Sequence, residues 1–159
     1  MANTRDPIAL LMKEHEDALV KLHQLKKCAS DLKKKGYSEK TFKTLLKAVE
    51  YVDQEVRVHN RHEEDALFPV VERYVDGPTS ILRDDHAKMA KIYKKLNYSV
   101  KALVENHDDT TARHELADSA EEIVQLMVNH IHKENHILFP MIQRFCTKEE
   151  IREIARKLL

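Results

Sequence analysis

Glycine and proline are scarce in this chain, with two and four in 159 residues. A sheet-rich fold needs many tight turns, so the shortage excludes one. With 34% charged residues, it points instead to long helices joined by few connections. Charge of one sign is also missing: 27 Lys and Arg balance 27 Asp and Glu. No net basic field or basic patch calls for nucleic acid. No apolar run approaches the roughly 18 residues that a membrane span needs, so no membrane partner is expected. The opening Met1-Ala2-Asn3-Thr4-Arg5 lacks the apolar core of a signal peptide. Cysteine is limited to Cys28 and Cys146, far apart and without a CxxC pattern. That usage fits plain core or surface thiols in a reducing cytoplasm. The length suits one domain, 1–159, large enough to bury a core.

Histidine is abundant. Ten in 159 residues is several times ordinary usage. Some of them belong to a repeat. Pro7 and Pro78, His15 and His86, His59 and His130, Glu63 and Glu134, and Pro69 and Pro140 each stand 71 residues apart. Two copies of Pro-x7-His-x43-His-x3-Glu-x5-Pro therefore make up most of the chain, with halves of about 6–76 and 77–147 and a tail over 148–159. Such a repeat constrains the architecture before any local reading.

Start and stop signals outline five helices. Asp6-Pro7 opens the first, an N-cap acid before a proline at the first helical position, and Gly36 ends it. Ser38 caps a second that runs towards Pro69 and frays over Glu72 to Asp76. Gly77-Pro78 begins a third that reaches Asn106. After the polar turn Asn106-His107-Asp108-Asp109, a fourth runs from about Thr110 to Phe145. Thr147-Lys148-Glu149-Glu150 is a capping box for a short last helix with Ile151, Ile154 and Leu158 on one face. The expected fold is all-α: an antiparallel up-down-up-down four-helix bundle with a short C-terminal helix.

The repeated residues fall on the apolar stripes. The fourth helix reads Leu116, Ala120, Ile123, Met127, His130, Glu134, Ile137, Met141, alternating steps of four and three as a bundle seam does. The second reads Phe42, Leu45, Val49, Val52, Val56, His59, Glu63, Ala66, Val70. The first gives Ile8, Met12, His15, Leu19, Leu22, and the third Leu82, His86, Met89, Tyr93, Leu96, Val100, Leu103. Each helix aims one histidine inward, and the second and fourth add a glutamate one turn later.

A buried, unpaired carboxylate is costly. A pair of divalent cations would compensate two of them. His and Glu at i and i+4 share a helix face, so the imidazole can bind one metal while the carboxylate reaches towards a second. Four imidazoles and two carboxylates, divided evenly, leave coordination positions for a bridging oxygen and an outside ligand. Imidazole and carboxylate donors without thiolate suit iron, and also manganese or zinc. Open positions mark a reactive site. Any one of these histidines alone could be a satisfied core residue; their recurrence in two halves favours ligation.

Other candidates read more plainly. His132 and His136 lie off the seam and suit a solvated face. His62 suits the surface, with the site edge as the alternative. His23, His107 and His114 have no identifiable partner. Glu14 and Asp85 each precede an inward histidine and suit the surface, with a role accepting a ring N–H as the alternative. Tyr93 reads as a core aromatic, with a hydroxyl beside a bound ligand as the alternative. Pro69 and Pro140, after Leu67-Phe68 and Leu138-Phe139, would weaken or kink their helices near the end.

The segments His59-Asn-Arg-His-Glu63-Glu-Asp-Ala-Leu-Phe-Pro69 and His130-Ile-His-Lys-Glu134-Asn-His-Ile-Leu-Phe-Pro140 resemble the two signatures of hemerythrin-like (HHE cation-binding) domains. Gly77 to His86 resembles that family's third helix and Asp6 to His15 its first, so the likeness covers about 6–158. It implies an antiparallel four-helix bundle with a non-haem di-iron centre, oxo- or hydroxo-bridged. His15, His59, Glu63, His86, His130 and Glu134 would be the ligands, the glutamates bridging. Oxygen-carrying members have a further histidine one turn along the third helix. Here those positions are Leu82 and Ala90, which cannot ligate, and the two halves keep equal ligand sets. The pattern is more similar to bacterial members linked to nitric oxide and peroxide responses and to iron–sulfur repair. Those repair proteins usually carry an extra N-terminal cysteine-bearing domain, for which this chain has no room.

The expected function is therefore a cytoplasmic di-iron protein that binds or reduces a small ligand such as oxygen, nitric oxide or peroxide, as sensor, scavenger or stress-response protein. A weak peroxidase or nitric oxide activity would fit, and no nucleophile–base pair or Gly-rich loop suggests another enzyme class. The alternatives are a metal-stabilised helical module that regulates a partner, and a zinc or mixed-metal bundle without redox activity. The oligomeric state, monomer or homodimer, is open.

Overall fold

A computed structural model describes residues 6–158. The reading of Met1–Arg5 as lacking a signal core lies outside them, as does Leu159. Among the described residues there are five helices and no strand. We label them α1 (Pro7–Lys35), α2 (39–71), α3 (Gly77–Glu105), α4 (110–145) and α5 (Lys148–Leu158). Among the described residues no helix is long and apolar enough to cross a membrane.

The helix ends follow the chemistry of their caps. The Asp6 carboxylate accepts from the Ile8 N–H at 3.0 Å and that of Asp109 from the Ala112 N–H at 3.0 Å. Each satisfies a donor that the first turn leaves free. Gly36, at φ 84°, ends α1 in backbone that a side chain would strain. The capping box of α5 is formed both ways: Glu150 N–H donates to Thr147 Oγ1 at 3.1 Å and Thr147 N–H to the Glu150 carboxylate at 2.9 Å. Close packing pairs α1 with α2, α1 with α4, and α3 with α4.

Two helices are not continuous α-helix. α2 contains π-helical turns at Val52–Val56 and Glu63–Leu67, and α4 contains one at Glu134–Leu138. The Phe68 N–H bonds back to the Glu63 carbonyl and the Phe139 N–H to the Glu134 carbonyl. Pro69 and Pro140 follow immediately. A proline offers no N–H to the carbonyl four residues back, and each widened turn lies just before that gap. So each proline, expected to weaken or kink its helix, follows a π turn. π turns recur at functional sites; here the two that precede the prolines each begin on an inward glutamate.

The extra residue shifts the helical phase. Beyond Glu134 the core side chains are Leu138 and Ile142, while Ile137 is 51% exposed; the uniform period had named Ile137 and Met141. In α1 the buried stripe is Ile8, Leu11, His15, Ala18, Leu22, with Met12 exposed. An ideal helix accepts Leu11 or Met12 one turn before His15, and packing selects Leu11.

Apolar burial divides into two clusters. A larger one includes Leu22, Leu45, Leu96 and Ile123. A smaller one gathers Ile8, Leu11, Phe68, Leu82, Phe139 and Ile154. Between them each of α1 to α4 contributes buried polar side chains. α5 closes the smaller cluster with Ile154, and Arg73, in the turn after α2, bonds to its Glu153 at 2.9 Å.

Candidate metal centre

All six side chains of the repeat meet in this polar layer. His15, His59, His86, His130, Glu63 and Glu134 are each at most 7% exposed. His15 Nε2 lies 3.1 Å from His59 Nε2, and His86 Nε2 lies 3.2 Å from His130 Nε2. Glu63 Oε1 stands 3.2 Å from His59 Nε2 and 3.4 Å from His86 Nε2. Glu134 Oε1 stands 3.2 Å from His15 Nε2 and 3.0 Å from His130 Nε2. Each carboxylate thus sits between one histidine of each pair.

Every Nδ1 is taken on the outer side. His59 donates to Glu14, His15 to Asn135 Oδ1 at 2.9 Å, His86 to Glu64 at 2.9 Å, and His130 to Asp85 at 3.1 Å. With Nδ1 donating, a neutral ring turns a bare Nε2 lone pair to the centre. The centre is then walled by acceptors. Although the glutamate oxygens come near the imidazoles, none is aligned in a hydrogen bond to them.

Metal-free, this arrangement strains the carboxyls. Burial, and then the charge of Glu134, pushes Glu63 well above the usual carboxylate range. Burial also works to raise Glu134, but the nearby Glu63 carboxyl and the His130 and His15 rings hold it well below that range. Two carboxylates buried this close together disfavour each other's ionisation. A cation removes the difficulty, since every inward atom is a donor to metal. Two nitrogens about 2.1 Å from one ion and at right angles would be about 3 Å apart, close to both Nε2–Nε2 distances. Two groups of possible ligand atoms lie within 4.8 Å of one another: His15, His59, Glu63 and Glu134, and Glu63, His86 and His130. The residues present fit metal.

The outer partners obey the same offset. Glu14 and Asp85 are 71 residues apart, as are Glu64 and Asn135. Glu14 and Asp85 were read first as surface residues; both bond a central histidine, and Asp85 is buried. Burial works against the charge of Asp85, but bonds from Lys133 and His130 keep its carboxyl below its ordinary range. The seam pattern gives no role to Glu64, Asn135, Phe68 or Phe139. Phe68 stacks on His86 at 5.6 Å between centroids and Phe139 on His15 at 5.5 Å. Extending the offset beyond ligand-type residues would have found all of them. It also reveals a difference. Glu64 in one half is Asn135 in the other, and Lys133, which holds Asp85, has His62 as its counterpart. The halves match in inner residues and differ in the charge behind them.

The remaining candidates separate. His132 and His136 are exposed, with ring centroids 4.4 Å apart. His23 and His114 are exposed, and His107 stacks on Tyr37 far along the chain from the cluster. Cys28 is buried and Cys146 half-buried, both free, with burial raising each thiol. Two cavities flank the centre. One of about 160 Å³ between α1 and α2 is lined by His15, His59 and His62. A larger cleft of about 470 Å³ between α2 and α3 is lined by His86, Asn60 and Tyr93.

Comparison with known proteins agrees with this geometry. The profile of the Hemerythrin HHE cation binding domain matches residues 6–142. An iron-sulfur cluster repair protein YtfE of Cronobacter sakazakii is 24% identical over 102 residues, which are 62% of this chain and 46% of that protein. YtfE proteins of Escherichia coli O139:H28 and Shigella boydii serotype 18 are 22% identical over the same length. The chain spans about half the length of these curated relatives. An all-helical fold, a buried His and Glu cluster that fits metal, and a family match over most of the chain lead to one conclusion: this chain belongs to the hemerythrin HHE cation binding domain family.

Proposed function

We propose that the chain is a non-haem di-iron protein that binds or reduces a small ligand such as oxygen, nitric oxide or peroxide in the cytoplasm, as sensor, scavenger or stress-response protein. His15 and His59 would hold one iron and His86 and His130 the other, with Glu63 and Glu134 shared between the two. The observation that carries the reading is the inward wall of acceptors: four bare Nε2 atoms and two buried carboxylates with no hydrogen-bond partner. Iron bound there supplies open coordination positions and electrons for a small ligand. The chain's own residues do the rest. Glu14, Asn135, Glu64 and Asp85 hold the imidazoles in one tautomer and orientation. Phe68 and Phe139 cover two of the rings, and the apolar clusters on either side exclude bulk water.

The same reading takes 1–159 as one domain of two repeat halves, 6–76 and 77–147, with its C-terminal helix over 148–159. Helices α1 to α4 run as an antiparallel up-down-up-down bundle, supported by the short connections 36–38, 72–76 and 106–109. The name of the YtfE relatives connects such domains to iron–sulfur repair, and a place in that response is consistent with the ligands proposed. Metal analysis with a visible spectrum tests the function. Two irons per chain and a charge-transfer band altered by nitric oxide or peroxide are expected; stoichiometric zinc without such a band would refute it.

A further inference from the structure

The cleft between α2 and α3 is larger than a diatomic ligand needs. Its volume is about 470 Å³, whereas a water occupies about 30 Å³ of liquid and diatomics are of similar size. Pockets for organic ligands begin at about 300 Å³. The walls are mainly apolar, including Val52, Val56, Met89 and Met127. On α3, Ala87 and Ala90 leave the space open where larger side chains would fill it. Its inner end reaches His86.

Two features select a ligand. Four cations line the cleft, Arg57, Arg61, Arg83 and Lys94, against one acid, Glu64. Arg57 is paired with Asp53, Arg83 with Glu72, and Glu64 accepts from His86. Arg61 and Lys94 have no ion pair among the described residues, so the cleft is left positive. The second feature is Asn60. Its Oδ1 is buried without a protein partner, and its Nδ2 meets only the thioether of Met89 at 3.5 Å. A half-turn of the amide exchanges donor and acceptor, so this group can donate to a ligand oxygen.

We propose that the α2–α3 cleft binds an organic carboxylate with an apolar body, such as a medium-length acyl acid, beside the His86 side of the cluster. The acyl body covers Val52, Val56 and Met89; Arg61 and Lys94 supply the charge, and Asn60 a hydrogen bond. Lys94 lies eight residues from His86, or about 12 Å along the helix, a span that an extended acyl chain covers. The proposal rests on the di-iron reading only in setting the ligand beside a metal; binding in the cleft requires none.

The test is calorimetric titration of decanoate into the full chain, metal-free and iron-loaded, with decanol and inorganic phosphate as comparators. Saturable one-to-one binding of decanoate to both forms is expected, at least tenfold tighter than either comparator. The Arg61→Ala/Lys94→Ala double variant should bind at least tenfold more weakly. Ala90→Trp should abolish binding; Ala90 is exposed, so that variant is expected to keep the parent's melting temperature and metal content. No saturable binding, equal binding of decanol, or binding indifferent to Ala90→Trp overturns the proposal. So does a concentration-dependent dimer that Ala90→Trp disperses and decanoate does not, since a second copy would then fill the cleft. Decanoate binding by a chain that fails to take up iron when iron is offered would sink the di-iron reading alone; iron uptake without decanoate binding would sink only the cleft proposal.

Discussion

At the scale of single residues, the centre depends on what stands behind each imidazole as well as on the imidazole. His59→Ala or Glu134→Ala should lose metal and lower the melting temperature of the loaded protein. Unchanged metal content in both would refute the ligand set. His132→Ala, on the exposed face, should keep its metal. The subtler test is the pair that breaks the symmetry. A carboxylate behind a histidine raises its basicity and fixes its orientation, and losing such a partner commonly costs 10- to 100-fold in metal affinity. Glu64→Gln should therefore weaken the His86 half by at least about tenfold. Asn135→Asp should tighten the His15 half. Stepwise metal titration reads both; two steps unmoved by either change would show the outer charges to be without effect.

At the scale of the helix, the π turns decide which side chains enter the core. A uniform period through α4 places Ile137 inside, whereas the widened turn at Glu134–Leu138 turns Leu138 inward. Ile137→Lys should then change stability by no more than about 0.5 kcal/mol. Leu138→Ala should cost about 2–5 kcal/mol, as a large-to-small core change does. Denaturant melts of the two variants read the phase directly, and the reverse order would mean that the turn is ordinary α-helix. The junction of α2 and α3 offers a pH test. The hydrogen bond from Arg83 chiefly, with one from Thr79, holds the Glu72 carboxyl below its usual 4.5. A lowered carboxyl pKa stabilises the fold above the unfolded value and loses that contribution as pH falls through the folded one. Glu72→Gln should thus flatten the decline in melting temperature below about pH 4.5. An unaltered decline would assign no stability to that bond.

At the scale of the whole molecule, the polar layer separates two apolar clusters that must each be closed. The smaller relies on α5, whose Ile154 is fully buried and packs with Ile8 and Phe68 in one cluster. Ile154→Ala should lower stability by about 2–5 kcal/mol; a loss under about 0.5 kcal/mol would make α5 an appendage.

Much of this was legible in the order of residues. Few turn formers, caps at Asp6, Ser38 and Thr147, the polar turn over 106–109, and the stripes with polar intruders are local signals, because backbone hydrogen bonds and helical periodicity link residues only a few positions apart. They located five helices and nominated the six residues that converge. The sequence alone could not choose Leu11 over Met12, show that the chain widens at Glu134, or bring Glu14 to His59 and Asn135 to His15. Those depend on how helices far apart in the chain pack against one another. Tertiary structure also opened the cleft between α2 and α3 and set unlike groups behind like histidines. Periodicity says which face of a helix turns inward, and only packing says what it meets there.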